Sequence, residues 1–281
     1  MKTKKKNKSV AIKNAITDSI KKFSNKAVNS LAIASVVTAG SVAFNSDAEA
    51  GAVILANTHI ALAGDSDGAG SGTNVMTVDD VITVTGANAG INAAAAMTLG
   101  ALASTIANTI LAITGSGGLT INDATGITAA DQLLITIATD ASVDILGAVT
   151  ADEPLTLTLI GSGSLTLSGS SKITTGAIIA ATDGAGVLTL SGTVTQTAAI
   201  GANAADLGTV NVTAAATTNA AVFSKIVNVS ANADFINDLN ANVINVTGTS
   251  TTFKLGDKAL KASGTTSVLT LNETAQKVIL D

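Results

Sequence analysis

Three short segments of this chain repeat at a fixed interval, and that interval constrains the fold more than any other feature. Thr209-Val-Asn-Val-Thr213, Ile226-Val-Asn-Val-Ser230 and Val243-Ile-Asn-Val-Thr247 place Asn211, Asn228 and Asn245 seventeen residues apart, twice in succession. Related apolar-Thr-apolar triplets stand at Leu119-Thr-Ile121, Ile135-Thr-Ile137, Leu157-Thr-Leu159, Leu165-Thr-Leu167, Leu188-Thr-Leu190 and Leu269-Thr-Leu271. Thr166 and Thr189 are twenty-three residues apart, and Thr189 and Asn211 twenty-two. Each triplet alternates apolar with polar, the period-two pattern of a half-buried strand. Turn-forming clusters such as Gly161-Ser-Gly163, Asp183-Gly-Ala-Gly186 and Ser263-Gly264 lie between them.

Short strands recurring every 17–25 residues stack most simply as a parallel β-helix, each repeat forming one coil. Val, Leu and Ile then form aliphatic columns inside, while Thr and Asn form ladders outside. An antiparallel sandwich calls instead for hairpin turns at intervals of about 8–12 residues. Only Asp67-Gly68 and Asp183-Gly184 supply the favoured hairpin dipeptides. The expectation is an all-β, right-handed parallel β-helix. Composition agrees: with five Phe and no Trp or Tyr, a thick globular core lacks its usual large side chains. Thin coils need only small and β-branched residues.

The chain divides into three parts: an N-terminal segment at 1–50, a Gly/Ala-rich N-terminal or capping region at 51–118, and the repetitive solenoid at 119–281. Residues 1–26 are basic, carrying nine of the fifteen Lys. Ala27 to Phe44 is uncharged, and Ala48-Glu49-Ala50 is a small-x-small cleavage site before Gly51. This order is that of a secretory signal peptide. Ile12, Ile16, Ile20 and Phe23 fall on one helical face, so a helix is expected there. In the capping region, Met97, Leu102, Ile106 and Ile110 follow a loose helical spacing, which leaves a buried helix and a degenerate coil both open. After Ala50 there are six Lys against seventeen Asp and Glu, a balance near −11. Such an acidic surface argues against nucleic acid, whose phosphates call for Lys and Arg. With no Cys, there are neither disulfides nor thiolate metal sites.

Little in the sequence supports chemistry, and no catalytic, cofactor-binding or metal residue is assigned. Gly64-Asp-Ser66-Asp-Gly68 matches a nucleophile elbow, but the one His of the chain, His59, precedes Ser66, where a hydrolase of that fold needs it after. Asp65, Asp67 and the adjoining glycines resemble part of a Ca²⁺ loop without its closing Glu or a tandem repeat. Asp79-Asp80 and Asp152-Glu153 are adjacent carboxylates, which point to opposite faces of a strand. Asn211, Asn228, Asn245 and Asn272 match the N-glycosylation pattern, although Asn ladders account for the first three more simply.

The segments Gly161-Ser-Gly-Ser-Leu-Thr-Leu-Ser-Gly169, Gly186-Val-Leu-Thr-Leu-Ser-Gly192 and Ile200-Gly-Ala-Asn203 with Leu207-Gly-Thr-Val-Asn-Val212, together with the Lys-rich signal, resemble the passenger region of bacterial autotransporter surface proteins. The likeness is to the rickettsial surface cell antigen and outer membrane protein B type and spans roughly residues 150–275. It implies a non-enzymatic protein at the cell surface or outside the cell, acting in adhesion or as a coat. Its implied partners are a host-cell receptor or glycan and an outer-membrane anchor or separate barrel protein. Autotransporters also carry a C-terminal membrane barrel with aromatic girdles. A chain without Tyr or Trp that closes on Lys277-Val-Ile-Leu-Asp281 departs from that pattern, and no barrel is expected in it. The competing functional readings are a solenoid carbohydrate-active enzyme and a non-functional fragment of a longer surface antigen.

Overall fold

In the computed structural model the chain is all-β, and its strands pair in parallel as a β-solenoid. The structure describes residues 52–55, 59–62, 81–84, 89–94, 96–104, 109–122, 126–129, 132–151, 154–168, 176–256, 260–261, 268–271 and 276–280. All of them belong to one compact unit, Val36–Asp281. The expected signal helix lies outside the described residues.

A typical coil has three strands. The coil running from Ile127 to Ile145 contributes Ile127–Ala129, Leu133–Ile137 and Ser142–Ile145. The next contributes Val149–Ala151, Leu155–Leu159 and Ser164–Leu167, each paired in register with its counterpart below. Three faces result. The first is built of two five-stranded sheets, one ending at Val149–Ala151 and the other beginning at Val194–Gln196. The second and third faces belong to one larger sheet, because Val222–Val229 and Leu239–Val246 run across both.

The alternation read from the triplets is the burial pattern observed. Leu133–Ile137 and Leu155–Leu159 each bury their first, third and fifth residues and leave the two between partly exposed. Parallel registers stack the buried residues into columns. Ile135, Leu157, Ile178, Ile200, Val222 and Leu239 form one on the second face. Leu119, Val143, Leu165, Leu188, Val210, Val227 and Ile244 form another on the third. Both columns are buried throughout. Each of these side chains contributes about 1.5–3 kcal/mol by leaving water. An aromatic pair, Phe235 with Phe253, sits inside the first face with ring centres 5.7 Å apart.

Coil length changes along the stack for a local reason. Between the second and third faces, early coils turn at Thr139-Asp140 and Gly161-Ser162, later ones at Ala181–Gly184 and Gly201–Asp206. These corners use left-handed backbone, at φ 64° for Asp140, 55° for Gly161 and 65° for Ala204. Asp tolerates that conformation better than most residues because its short side chain bonds locally. In the coils of Val222–Val229 and Leu239–Val246 the corner is absent and one eight-residue strand continues from face to face. Removing it shortens the interval from Ile200↔Val222 to Val222↔Leu239, twenty-two residues to seventeen.

Two points that the sequence leaves open are resolved. The helical spacing of Met97, Leu102, Ile106 and Ile110 does not give a helix in the described part of that region. Ala89–Ala93, Met97–Leu99, Ala101–Ser104 and Thr109–Thr114 are strands, in register with the coils above. Ile106 itself lies outside the described residues. Apolar residues satisfy a three-to-four spacing by chance in a stretch where most positions are small or aliphatic, and the coil-to-coil hydrogen bonds then decide the backbone. Secondly, a coil holds more than one triplet. Leu157-Thr-Leu159 belongs to the second face and Leu165-Thr-Leu167 to the third, with one corner between them.

Replacing Leu157 by Ala is expected to lower unfolding stability by about 2–5 kcal/mol, because the column above and below cannot collapse into the cavity. Thr158→Ala, on the outer side of the same strand, should change it by no more than about 0.5 kcal/mol. Urea denaturation followed by circular dichroism measures both.

Candidate functional site

Outward positions of the third face form a polar column through nine coils. Paired registers align Thr98, Thr120, Asp144, Thr166, Thr189, Asn211, Asn228, Asn245 and Thr270. Its C-terminal half is a hydrogen-bonded amide ladder. Asn245 Nδ2 donates to Asn228 Oδ1 at 3.0 Å, and Asn228 Nδ2 to Asn211 Oδ1 at 2.9 Å. Asn211 Nδ2 then reaches Thr189 Oγ1 at 3.4 Å. Each Asn stands between two inward Val or Ile residues, so the same alternation that builds the core aims the amides outward. The ladder also fixes register, since a slip of one residue would drive every amide into the core. The sequons at Asn211, Asn228 and Asn245 are thereby accounted for as ladder members; Asn272 lies outside the described residues.

Asp144 alone in this column carries charge. Ser168 donates to Asp144 Oδ1 at 2.6 Å and also approaches the hydroxyl of Ser191 in the next coil at 3.0 Å. Around Asp144 the face is hollowed into a shallow groove of about 210 Å³, lined by Thr98, Gly118, Thr120, Ser142 and Thr166 among others. Gly118 adopts φ 86°, and a Cβ at that point would press on the Ser142 hydroxyl. A side chain there would therefore both strain the corner and encroach on the groove.

A second polar cluster sits where the corner disappears. Lys225 Nζ lies 2.9 Å from Asp206 Oδ2 in the coil below and 2.9 Å from Asp183 Oδ1 one coil further. Asp206 is almost fully buried, with 5% of its side chain exposed, whereas Asp183 is about half exposed at 49%. The backbone N–H of Asp206 also donates to Asp183 Oδ1 at 3.2 Å. One ammonium thus ties together three successive coils of the stack. Hydrogen bonding to Lys225 holds the Asp183 carboxyl below its ordinary value of 3.8, against a smaller opposing effect of burial. Hydrogen bonds to Asp183 and then Asp206 raise the Lys225 ammonium above 10.5. A looser pair, Lys254 with Asp234 at 4.0 Å, spans neighbouring coils on the first face.

Residues singled out from sequence for possible chemistry are placed as follows. His59 begins the strand His59–Leu62, opposite Gly90 of the next coil. Asp65, Ser66, Asp67, Asp79, Asp80, Asp152 and Glu153 lie outside the described residues. No group of three or more His, Cys, Asp or Glu stands together as a metal site among the described residues. Sequence reading passed over Asp144, because Val143-Asp-Ile145 breaks the apolar-Thr-apolar form. Its signal was the spacing: Asp144 stands twenty-two residues before Thr166, at coil distance. Lys225 gave no such signal, since its partners are brought to it only by coil geometry.

Comparison with protein-family models, with curated proteins and with solved structures finds no match.

Two substitutions probe these clusters. Asn228→Ala, which breaks the ladder on both sides, should cost about 1–2 kcal/mol in denaturant melts. Lys225→Met should cost more, about 2–3 kcal/mol, because it strands the buried carboxylate of Asp206. The penalty should also depend on pH with a definite sign. Asp183 has a depressed value, so its share is present above pH 3.8 and disappears as pH falls through the lower folded value. Lys225 has a raised value, so its share is present below pH 10.5 and disappears as pH climbs through the higher folded value. The difference in melting temperature between wild type and Lys225→Met should therefore be largest between these limits and shrink outside them.

Proposed function

We propose that this chain is an exported, non-enzymatic cell-surface protein, similar to an autotransporter passenger, whose solenoid acts in adhesion or as a surface coat. The observation that carries the reading is the continuous polar column of the third face, from Thr98 to Thr270. Solenoids offer long outer faces of this kind to extended partners, and a repeated row of small polar groups suits many weak contacts better than one reaction centre. A second support is the N-terminal pattern, a basic segment followed by an uncharged run and Ala48-Glu49-Ala50. A Cys-free chain is compatible with export, its stability then resting on packing alone.

On this reading the winding is right-handed, the hand that twisted strands impose on parallel crossover connections. A partner in the outer membrane, either an anchor or a separate barrel protein, holds the solenoid at the surface. A host-cell receptor or glycan meets its outer faces.

Fractionation of the native cell, with protease added to intact cells, tests the proposal. The solenoid should appear in the outer-membrane or extracellular fraction, be clipped by external protease, and begin at Gly51 on N-terminal sequencing. Recovery of an uncleaved chain from the cytosol alone would overturn it.

A further inference from the structure

The groove around Asp144 is more specific than the column that contains it. Aspartate is disfavoured inside strands, yet Asp144 stands in the middle of Ser142–Ile145, half-buried, with Thr120 and Thr166 as its neighbours along the column. Thr or Asn fills every other position of that column, so the stacking itself needs no charge there. A local departure from an otherwise consistent pattern is where a functional site is expected. The carboxylate is also oriented in advance, because Ser168 holds Oδ1 at 2.6 Å.

The lining defines the ligand. Hydroxyls of Thr98, Thr120, Ser142 and Thr166 both donate and accept hydrogen bonds, and the carboxylate only accepts. Such a set matches a molecule dense in hydroxyl groups. A negative ligand is opposed by the Asp144 charge. The volume, about 210 Å³, leaves room for no more than one small ring, held in an open trough rather than enclosed. We propose that this groove binds a neutral sugar ring, with Asp144 accepting hydrogen bonds from the sugar and the surrounding Thr and Ser hydroxyls completing its shell. Proline-, aromatic- and cation-based recognition play no part in it. The site deepens the adhesion reading and rests on that reading for its biological purpose, but the binding itself is a property of the purified chain.

The test is saturation-transfer NMR on the purified full chain, with N-acetylglucosamine, galactose and glucose as separate probes. At least one should show transfer that saturates with concentration. Asp144→Thr, which installs the residue typical of the column, should keep the β-rich circular dichroism spectrum and weaken binding by about tenfold. Thr189→Val, on the same column but outside the groove, should bind as wild type does. If Asp144→Thr loses the fold, Asp144→Asn, of the same shape, carries the same expectation. No transfer from any of the three sugars to the folded wild-type chain overturns the proposal, as does undiminished binding in the folded Asp144 variant. Neither result bears on surface display, which protease access to intact cells reads independently.

Discussion

The structure depends on hydrogen bonding between successive coils. A single coil, seventeen residues at its shortest and thirty-one at its longest, cannot close a core or satisfy its own backbone, since its strands pair with the coils above and below. Parallel pairing also forces equivalent residues into line, so one inward Leu recurs as a column and one outward Asn as a ladder. The chain is therefore stabilised coil by coil through nearest neighbours, with small aliphatic side chains supplying the interior. Large aromatic residues would gain little here, because three faces surround a narrow space. The Phe235–Phe253 pair is the exception and lies on the first face, among the later and shorter coils.

Polar groups in this fold do two different things. Asn211, Asn228 and Asn245 reinforce the alignment that the backbone has already made, each amide bridging to the next coil. Lys225 acts at a discontinuity. Where the corner of the preceding coils is deleted, its ammonium reaches back to the two coils below and pairs with the buried carboxylate of Asp206 and the half-exposed one of Asp183. Asp144 belongs to neither class. It takes a hydrogen bond from the Ser168 hydroxyl and faces a groove rather than a structural step.

Much of the fold was legible before any coordinates. Equal spacing at Asn211, Asn228 and Asn245 identified the coils, and the intervals from Thr166 to Thr189 and on to Asn211 are the registers observed. The region from Ala89 to Thr114 was less legible, because a stretch composed mainly of Ala, Thr and Ile fits helical and strand periods about equally well. Division of each coil into three strands was hidden as well. Triplets of the second and third faces look alike in sequence, and only pairing partners separate Leu157-Thr-Leu159 from Leu165-Thr-Leu167.

Sequence by itself determined the class of architecture, since alternation at a coil-length period leaves few ways to bury one face of so many short strands. It also determined the amide ladder, because identical residues at identical spacing must stack once the coils do. Tertiary structure decided which residues from different coils meet. The approach of Lys225 to Asp183 and Asp206, and the hollow in which Asp144 lies, follow from the lengths and conformations of corners. Corners are set by a few left-handed residues and small loops that carry no periodicity, so their consequences for contact appear only when the coils are stacked.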